Sequence, residues 1–450
     1  MWQSPLESQK LSPAPPNPHH SPSGRLHPED LTLGLPETMP STGNRFTDAR
    51  FEAEWRLLQA ACSATAKRGD SGQEQDQEKD QEKEQNQGKE KRGLRGLSQR
   101  PLNWEALVQL AEQQGVVPVL YHSLPSLGSE VPPATLAQLK QGYETNLRRT
   151  LLLARELIRI LDRFDALAID VIPYKGVALA ETLYGDIALR QAGDIDLLVR
   201  ASDLSRIKAT LQDLGYTPHL PLSQPEERAY LGSGYECAFD SILGRNLLEV
   251  QWALQPRFYA VDFAMESVFR RAIPVNVAGR NMKTPSAEDL FLILALHAAK
   301  HVWGRLIWLC DIAQIVKLPS LNWNWISETA TSLGIVRILQ VTLVLTNRIL
   351  GVAIPAAAEK SLSADSAALA LADEIAPQIG RSAPQNVESL SYFSLMMRLR
   401  ERRADRIRFL RRLAFTPGPG EWKSVRLPAS LFPLYRLVRL WRLATRLAKA

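Results

Sequence analysis

Residues 173–200, PYKGVALAETLYGDIALRQAGDIDLLVR, contain the signals of a strand, a helix and a second strand. A short β-branched run ends at Pro173 and Gly176, VALAETLYG has helical spacing, and DIDLLVR is a short apolar strand. The hydrophobic period therefore changes from that of a helix to that of a sheet in this stretch. It predicts a strand, helix, strand unit centred on residues 168–200.

The second strand carries two carboxylates, Asp194 and Asp196, separated by one residue. Because successive side chains of a strand alternate, both acids point to one side, while Ile195 and Leu197 point into the core. Two neighbouring carboxylates repel each other, and a hard divalent cation relieves that repulsion. This pattern predicts an Mg²⁺ site, although such a pair also occurs as a solvated turn or a salt-bridged pair.

A third acid on a neighbouring strand would position a second metal ion or accept a proton. Glu249 in LLEVQW is the first choice for it, and Glu236 in YECAFD is the reserve. Upstream, Gly176 allows backbone N–H groups to approach a phosphate at a helix N-terminus, and Lys175 offers a positive charge. These residues predict a site for phosphoryl or nucleotidyl transfer.

The flanking sequence predicts an α+β fold in which a small sheet is bordered by helical regions. YECAFD and LLEVQW, joined by SILGRN, are typical of a β-hairpin, and 204–214 is helical. Ser286 is the predicted cap of the next helix. We expect four segments, which are a disordered tail (1–44), a helical N-terminal region (45–166) with a charged disordered insertion (68–93), the catalytic core (167–285) and a helical C-terminal domain (286–450).

The composition is that of a globular protein, with 45% hydrophobic and 23% charged residues in a chain of 450. The three cysteines lie far apart without ligand spacing, which argues against a disulfide framework or a zinc site. No signal peptide is readable at the N-terminus, and the apolar run 341–358 is too interrupted for a membrane span. We expect a cytoplasmic protein.

The motif at 173–200 resembles the signature of the uncharacterised nucleotidyltransferase family of the polymerase-beta-like superfamily, and the similarity extends over most of 45–450. The resemblance implies a minimal nucleotidyltransferase core with a small mixed sheet and Mg-NTP as donor. It also implies that Asp194 and Asp196 bind metal and that Lys175, Gly176 and Arg190 lie near the phosphates. Relatives often have a His where this chain has Gln251.

The segment LHAAKHVWGRLIWLCD places His297 and His301 on one helix face, next to Lys300. It lacks the Glu of an HExxH motif and a Cys partner, so zinc is not expected. Two interpretations of Lys300 and His301 remain open. They either contribute to the nucleotide or acceptor pocket or pack in the core.

The C-terminal segments RLRERRADRIRFLRR and YRLVRLWRLATRLAK alternate arginines with apolar residues at helical spacing. Such helices bind anionic lipid or nucleic acid in some proteins. A helix packed on the protein body with its arginines reaching solvent explains the pattern without a partner, and we favour that interpretation.

These observations predict an enzyme that moves a nucleoside monophosphate from Mg-NTP to a hydroxyl or phosphate of a small molecule or peptide by two-metal catalysis. Asp194, Asp196 and Glu249 would be catalytic, and Lys175, Gly176, Arg190, Lys300 and His301 would bind the nucleotide. The alternative is a non-catalytic nucleotide-binding or scaffold protein that keeps the fold.

Overall fold

The computed structural model describes residues 51–68, 102–124, 131–241, 244–380 and 389–447. The predicted tail at 1–44 and nearly all of the charged insertion at 68–93 lie outside the described residues. Seven strands are described: β1 (Val171–Pro173), β2 (Ile195–Val199), β3 (Thr217–Pro218), β4 (Glu236–Ser241), β5 (Gly244–Gln251), β6 (Ile273–Val277) and β7 (Arg280–Thr284).

Helices precede, interrupt and follow these strands. Those up to the end of the sheet region are α1 (Glu52–Arg68), α2 (Trp104–Gln114), α3 (Val117–Ser123), α4 (Pro133–Ala166), α5 (Gly176–Tyr184), α6 (Leu204–Asp213), α7 (Gln224–Leu231) and α8 (Met265–Arg271). Those that follow are α9 (Ala287–Lys300), α10 (Leu306–Val316), α11 (Trp323–Leu333), α12 (Val336–Leu350), α13 (Ala356–Ser361), α14 (Ser366–Ile375), α15 (Leu390–Arg398), α16 (Arg403–Phe415), α17 (Pro419–Ser424) and α18 (Tyr435–Leu447).

The main sheet has five strands in the order β1-β2-β5-β4-β3. The pairing of β2 with β5 is parallel, and the other three pairings are antiparallel. The sheet is therefore mixed, and with the flanking helices it gives the α+β fold that the sequence predicts. The predicted β4-β5 hairpin and the predicted strand, helix, strand unit of β1, α5 and β2 are both confirmed.

Both faces of β2 are buried, and each face packs against different helices. Ile195, Leu197 and Val199 lie in a cluster with residues of α4 and α6. Leu198, on the opposite face, packs with Phe269 of α8 and residues of β1 and α9. By strand alternation, the side chain of Asp196 lies on the same face as Leu198.

The helices that precede the sheet in the sequence and those that follow it share one hydrophobic core. Leu107 and Leu120 of the N-terminal helices belong to the same buried cluster as Phe291, Leu309 and many other residues of α9 to α16. The apolar run 341–358 is divided between two helices, because α12 ends at Leu350 and α13 begins at Ala356. Ser286, the predicted helix cap, accepts a hydrogen bond from the backbone N–H of Asp289. The boundaries proposed for the segments stay a prediction.

The β6-β7 hairpin is a feature that the hydrophobic pattern did not predict. Its two strands are joined by Ala278 and Gly279, which both have positive φ angles, of 49° and 84°. Two such residues in succession are typical of a tight hairpin turn. No helix in the described part of the chain is long and apolar enough to cross a membrane.

Candidate active site

Three carboxylates meet at one end of the central strands. Asp194, Asp196 and Glu249 each offer an oxygen within 4.8 Å of the other two. The exposed fraction of Asp196 is only 3%. The structure thus brings together the two acids of the Asp-Ile-Asp motif and the acid that the sequence analysis placed third.

The pairing of β2 with β5 explains why these acids meet. In the parallel register Asp196 lies opposite Glu249, so their side chains project from the same face on adjacent strands. Asp194 directly precedes β2 and contributes the third oxygen from the loop. Glu236, the reserve choice, lies on β4 opposite Gln251 and is outside the group of three.

Burial and mutual repulsion both disfavour the ionised forms of this cluster. Burial, followed by the negative charge of Asp196, raises the pKa of Asp194 to about 6. Burial, Asp196 and Glu236 raise the pKa of Glu249 to about 8. A positive charge among the three carboxylates would lower both pKa values, which is the electrostatic condition for recruiting a cation.

Lys175 supplies one positive charge to the cluster from within the chain. Its Nζ lies 2.9 Å from Oδ1 of Asp196, and its side chain is largely buried. Burial alone would lower the pKa of Lys175, but Asp196, Tyr174 and Glu249 raise it well above its usual range. The lysine is therefore a fixed cation beside three acids, and one ammonium neutralises only part of their charge.

The side-chain amide of Gln251 connects the carboxylates. Its Nε2 donates to Oε2 of Glu249 at 2.9 Å and lies 3.5 Å from Oδ1 of Asp196 and 3.4 Å from Oε2 of Glu236. The hydroxyl of Tyr174 donates to Oε1 of Gln251 at 2.6 Å, which fixes the orientation of the amide. Gln251 is thus a hydrogen-bond donor to the acids.

Glycine is required at position 176 because the backbone there lies close to the backbone of Asp194. Its φ is +54°, and a Cβ built on it would lie 2.8 Å from the carbonyl oxygen of Asp194. Only glycine accepts both this conformation and this approach without strain. The Lys-Gly turn is therefore in backbone contact with the loop that carries the first acid.

Arg190 lies in a buried ion pair rather than free beside the carboxylates. Its Nε donates to Oδ1 of Asp311 at 2.9 Å, its Nη2 donates to Oδ2 at 2.9 Å, and the hydroxyl of Tyr184 also donates to Oδ1. Asp311 belongs to α10, so this pair fastens the loop before β2 to the helical body. Arg149 of α4 supports the same loop by donating to the carbonyl oxygen of Gly193.

Lys300 approaches the cluster from α9. Its Nζ donates to the hydroxyl of Tyr235 at 2.7 Å and lies 4.6 Å from the centre of that ring. Burial lowers the pKa of Lys300, and the negative charges of Glu236, Glu249 and Asp196 act against that shift. Lys300 thus lies within electrostatic range of the acids, while its ammonium group is held by a tyrosine.

His297 and His301 pack against Trp308, with ring centres 5.2 and 5.3 Å from that of the indole. Burial lowers the pKa of His301 to about 3, and Lys300 and Lys175 add to the shift. Burial also lowers the pKa of His297 well below its usual range, so both histidines are neutral. The structure places His301 next to Lys300 without a hydrogen bond to the acidic cluster.

Sequence reasoning missed three parts of this arrangement. The role of Gln251 as a bridge was readable from its spacing, because residues two apart on a strand share a face with Glu249. Tyr235 adjoins Glu236 in sequence but carried no recognised signal. Asp311 lies in an apolar helix, and nothing in the sequence links it to Arg190.

The donor set fits a hard divalent cation. It consists of oxygen ligands only, held close together on a buried strand pair, and carboxylate oxygens are the ligands that Mg²⁺ prefers. Among the described residues, no other group of three histidine, cysteine, aspartate or glutamate side chains offers converging ligands.

Comparison with known proteins gives one match. The sequence model of a family described as "Uncharacterised nucleotidyltransferase" matches residues 100–351, a range that contains the whole sheet and the acidic cluster. No curated protein and no solved structure matches the chain.

Proposed function

The chain belongs to the uncharacterised nucleotidyltransferase family, and we propose on that premise that it moves a nucleoside monophosphate from Mg-NTP to an acceptor oxygen. The acceptor would be a hydroxyl or phosphate of a small molecule or peptide. The proposal gives Asp194, Asp196 and Glu249 the catalytic role.

One observation carries the proposal, namely the convergence of Asp194, Asp196 and Glu249 within 4.8 Å. Three partly buried carboxylates in one place raise the free energy of the folded protein unless a cation is bound. Such an arrangement therefore favours a cation-binding role over a purely stabilising one. Carboxylates that hold Mg²⁺ next to substrate phosphates are the usual basis of nucleotidyl transfer.

The reaction is an in-line displacement at the α-phosphorus of the nucleotide. A bond forms between the acceptor oxygen and that phosphorus, and the bond to the bridging oxygen of the pyrophosphate breaks, so pyrophosphate leaves with the electron pair. When the acceptor is a hydroxyl, its proton passes to a carboxylate of the cluster or to water. Mg²⁺ held by Asp194 and Asp196, with Glu249 completing the set, would neutralise charge on the phosphates and on the attacking oxygen.

The remaining residues orient the acids and balance their charge. Lys175 stays paired with Asp196 and adds positive charge close to the phosphates. Gln251 and Tyr174 fix the side chain of Glu249. Arg190, through Asp311, holds the loop that carries Asp194, so its contribution here is to position that acid.

The test is a thermal-shift series with each NTP, with and without Mg²⁺, on the wild-type protein and on Asp194→Asn/Asp196→Asn. At a nucleotide concentration of 100 times Kd, binding stabilises by about 2.7 kcal/mol, and no acceptor is needed for this measurement. We expect an Mg²⁺-dependent shift in the wild type that disappears in the double variant. Asp213→Asn, which removes an exposed carboxylate at the end of α6, is the control and should keep the shift.

A second candidate function is a non-catalytic nucleotide-binding or scaffold protein, and the ion pair of Lys175 with Asp196 favours it, because an internal cation already occupies part of the acidic site. This candidate requires no metal. It predicts either no nucleotide shift or a shift that persists in EDTA and in Asp194→Asn/Asp196→Asn. Loss of the shift in both conditions would exclude it.

A further inference from the structure

A second charged region lies away from the carboxylates, in a cavity of about 700 Å³ between the C-terminal helices and the loop before β4. Its walls include Arg257, Arg411, Arg412 and Arg436, together with Phe415 and Trp422. None of the described residues that line it is acidic. The acidic cluster does not contribute to the cavity, so the two regions are separate sites on one molecule.

The arginines of this cavity differ in whether an acid or a carbonyl oxygen of the chain is bound to them. Arg412 forms an ion pair with Asp262 at 2.6 Å, and Arg257 donates to the carbonyl oxygen of Gly232 at 2.7 Å. Arg411 and Arg436 are exposed and have no hydrogen-bond or ionic partner within the part of the chain that the structure describes. The cavity therefore has a surplus of positive charge.

Two other arginines on the helix of Arg436 are paired with an acid. Arg439 and Arg442 of α18 both contact Oε1 of Glu421, at 3.4 and 3.1 Å. Arg439 is 5% exposed and points into the protein. Arg439 and Arg442 thus share a counter-charge, while Arg411 and Arg436 at the cavity have none among the described residues.

The size and walls of the cavity suit a small molecule. A volume of about 700 Å³ lies within the range of small-molecule sites. Phe415, Phe432 and Trp422 provide apolar wall surface next to the guanidinium groups.

The chain connects this cavity directly to the acidic end of the sheet. Ser233 lines the cavity, and Glu236 follows it by three residues, a separation that spans at most about 11 Å of extended chain. Between them, Tyr235 holds the ammonium group of Lys300. The Cα atom of Glu236, whose carboxylate lies 3.4 Å from Nε2 of Gln251, is therefore at most about 11 Å from the Cα atom of Ser233 at the cavity wall.

We propose that this cavity binds the acceptor through a phosphate group, so that the acceptor is a small phosphate-bearing molecule. Guanidinium groups form paired, charge-assisted hydrogen bonds with phosphate oxygens, which explains why arginines rather than lysines line the site. That the bound molecule is the acceptor rests on the proposed function. The binding of a phosphate group at the cavity is a separate claim and is tested separately.

The experiment uses phenyl phosphate and inorganic phosphate as probes and measures their Kd by calorimetry on the full chain without Mg²⁺. The test variant is Arg411→Gln/Arg436→Gln. The matched control is Arg403→Gln/Arg426→Gln, which removes the same charge from two exposed arginines outside the cavity. We expect phenyl phosphate binding to weaken at least tenfold in the test variant and to stay within twofold of wild type in the control.

Two further measurements distinguish phosphate binding at the cavity from the proposed function. Asp194→Asn/Asp196→Asn should bind phenyl phosphate with the wild-type Kd, even if no nucleotide binds to any variant. Saturating Mg-NTP should leave the Kd for phenyl phosphate unchanged, because donor and acceptor occupy different sites. Competition between the two would assign the cavity to the nucleotide and overturn the inference.

The inference is also overturned if neither probe binds, or if the control variant loses binding as much as the test variant. Binding to vesicles of phosphatidylglycerol in the absence of any affinity for the soluble probes would show a lipid surface instead. The two variants should unfold at the wild-type temperature, since all four arginines are exposed.

Discussion

The acidic cluster and the Arg190-Asp311 pair are both groups of buried charges beside the same loop, yet their charges are balanced very differently. Asp311 meets one guanidinium in two hydrogen bonds and also accepts from Tyr184. At the cluster, three carboxylates share the single ammonium of Lys175. The charge of the Arg190-Asp311 pair is balanced within the chain, whereas the acidic cluster retains an excess of negative charge.

This difference separates a structural site from a functional one. A balanced buried ion pair fixes the relative positions of two segments, here the loop before β2 and α10. An unbalanced group costs stability, because burial and repulsion raise the pKa values of Asp194 and Glu249. Charge imbalance, rather than burial, therefore distinguishes the proposed catalytic cluster from the Arg190-Asp311 pair.

The largest effect should come from breaking the balanced pair. Asp311→Asn leaves the guanidinium of Arg190 buried without a counter-charge, and we expect the free energy of unfolding to fall by about 3–5 kcal/mol. Chemical denaturation at neutral pH without Mg²⁺ measures this loss. The double variant Arg190→Met/Asp311→Leu removes both charges and should recover most of it.

The matched substitution in the cluster is Asp194→Asn. It removes one of three repelling carboxylates, so the free energy of unfolding should stay the same or rise. If Asp194→Asn lost as much stability as Asp311→Asn, the distinction between the two sites would be wrong.

A smaller effect is expected from the backbone contact that positions the cluster. In Gly176→Ala the new Cβ would meet the carbonyl oxygen of Asp194 at 2.8 Å, in a backbone conformation with φ of +54°. We expect a loss of about 1–2 kcal/mol in the free energy of unfolding and loss of the Mg-NTP thermal shift.

The control variant Gly185→Ala distinguishes backbone strain from displacement of Asp194. Gly185 also has a positive φ, of +64°, but its Cβ would meet nothing within 4 Å. This control should lose stability through strain alone and keep the nucleotide shift. Equal loss of the shift in both variants would show that backbone strain, and not the position of Asp194, governs binding.

The smallest expected effect on stability concerns His301, a buried histidine whose ring is neutral. The pKa of His301 is lowered to about 3 in the folded protein, so the unfolded chain binds a proton below about pH 6.5 while the folded protein does not. Stability contributed by the neutral ring is present above pH 6.5 and is lost as the pH falls towards 3. Each such histidine contributes a slope of up to about 1.4 kcal/mol per pH unit.

Denaturation curves between pH 7 and pH 5 test this expectation. His301→Gln should lose less stability on acidification than the wild type, with His297 retaining its own contribution. An unchanged slope in His301→Gln would mean that the ring at this position is accessible to protons in the folded protein.

Much of the sheet could be predicted from local sequence. The change of period around Pro173 and Gly176, the alternation in Asp194-Ile195-Asp196 and the hairpin ending in LLEVQW all act over a few residues, and β1, β2, β4 and β5 form where they indicate. The β6-β7 hairpin was missed because its strands are short and its exposed positions give no apolar run.

The partners of the charged residues could not be predicted in the same way. Arg190 was expected near the phosphates from the family resemblance, and its pairing with Asp311 joins residues 121 positions apart. The triple contact of Gln251 depends on three strands meeting in one register. Long-range partners of this kind leave no periodic signal in the sequence.

By itself, the sequence determined the class of fold and the identity of the acids, because strand alternation and side-chain chemistry are local properties of Asp194, Asp196 and Glu249. The tertiary structure decided that β2 pairs with β5 in parallel and places Asp196 opposite Glu249. It also decided which buried charges are balanced, as at Asp311, and which are not. Charge balance depends on distances between segments that are remote in the chain, and only folding sets those distances.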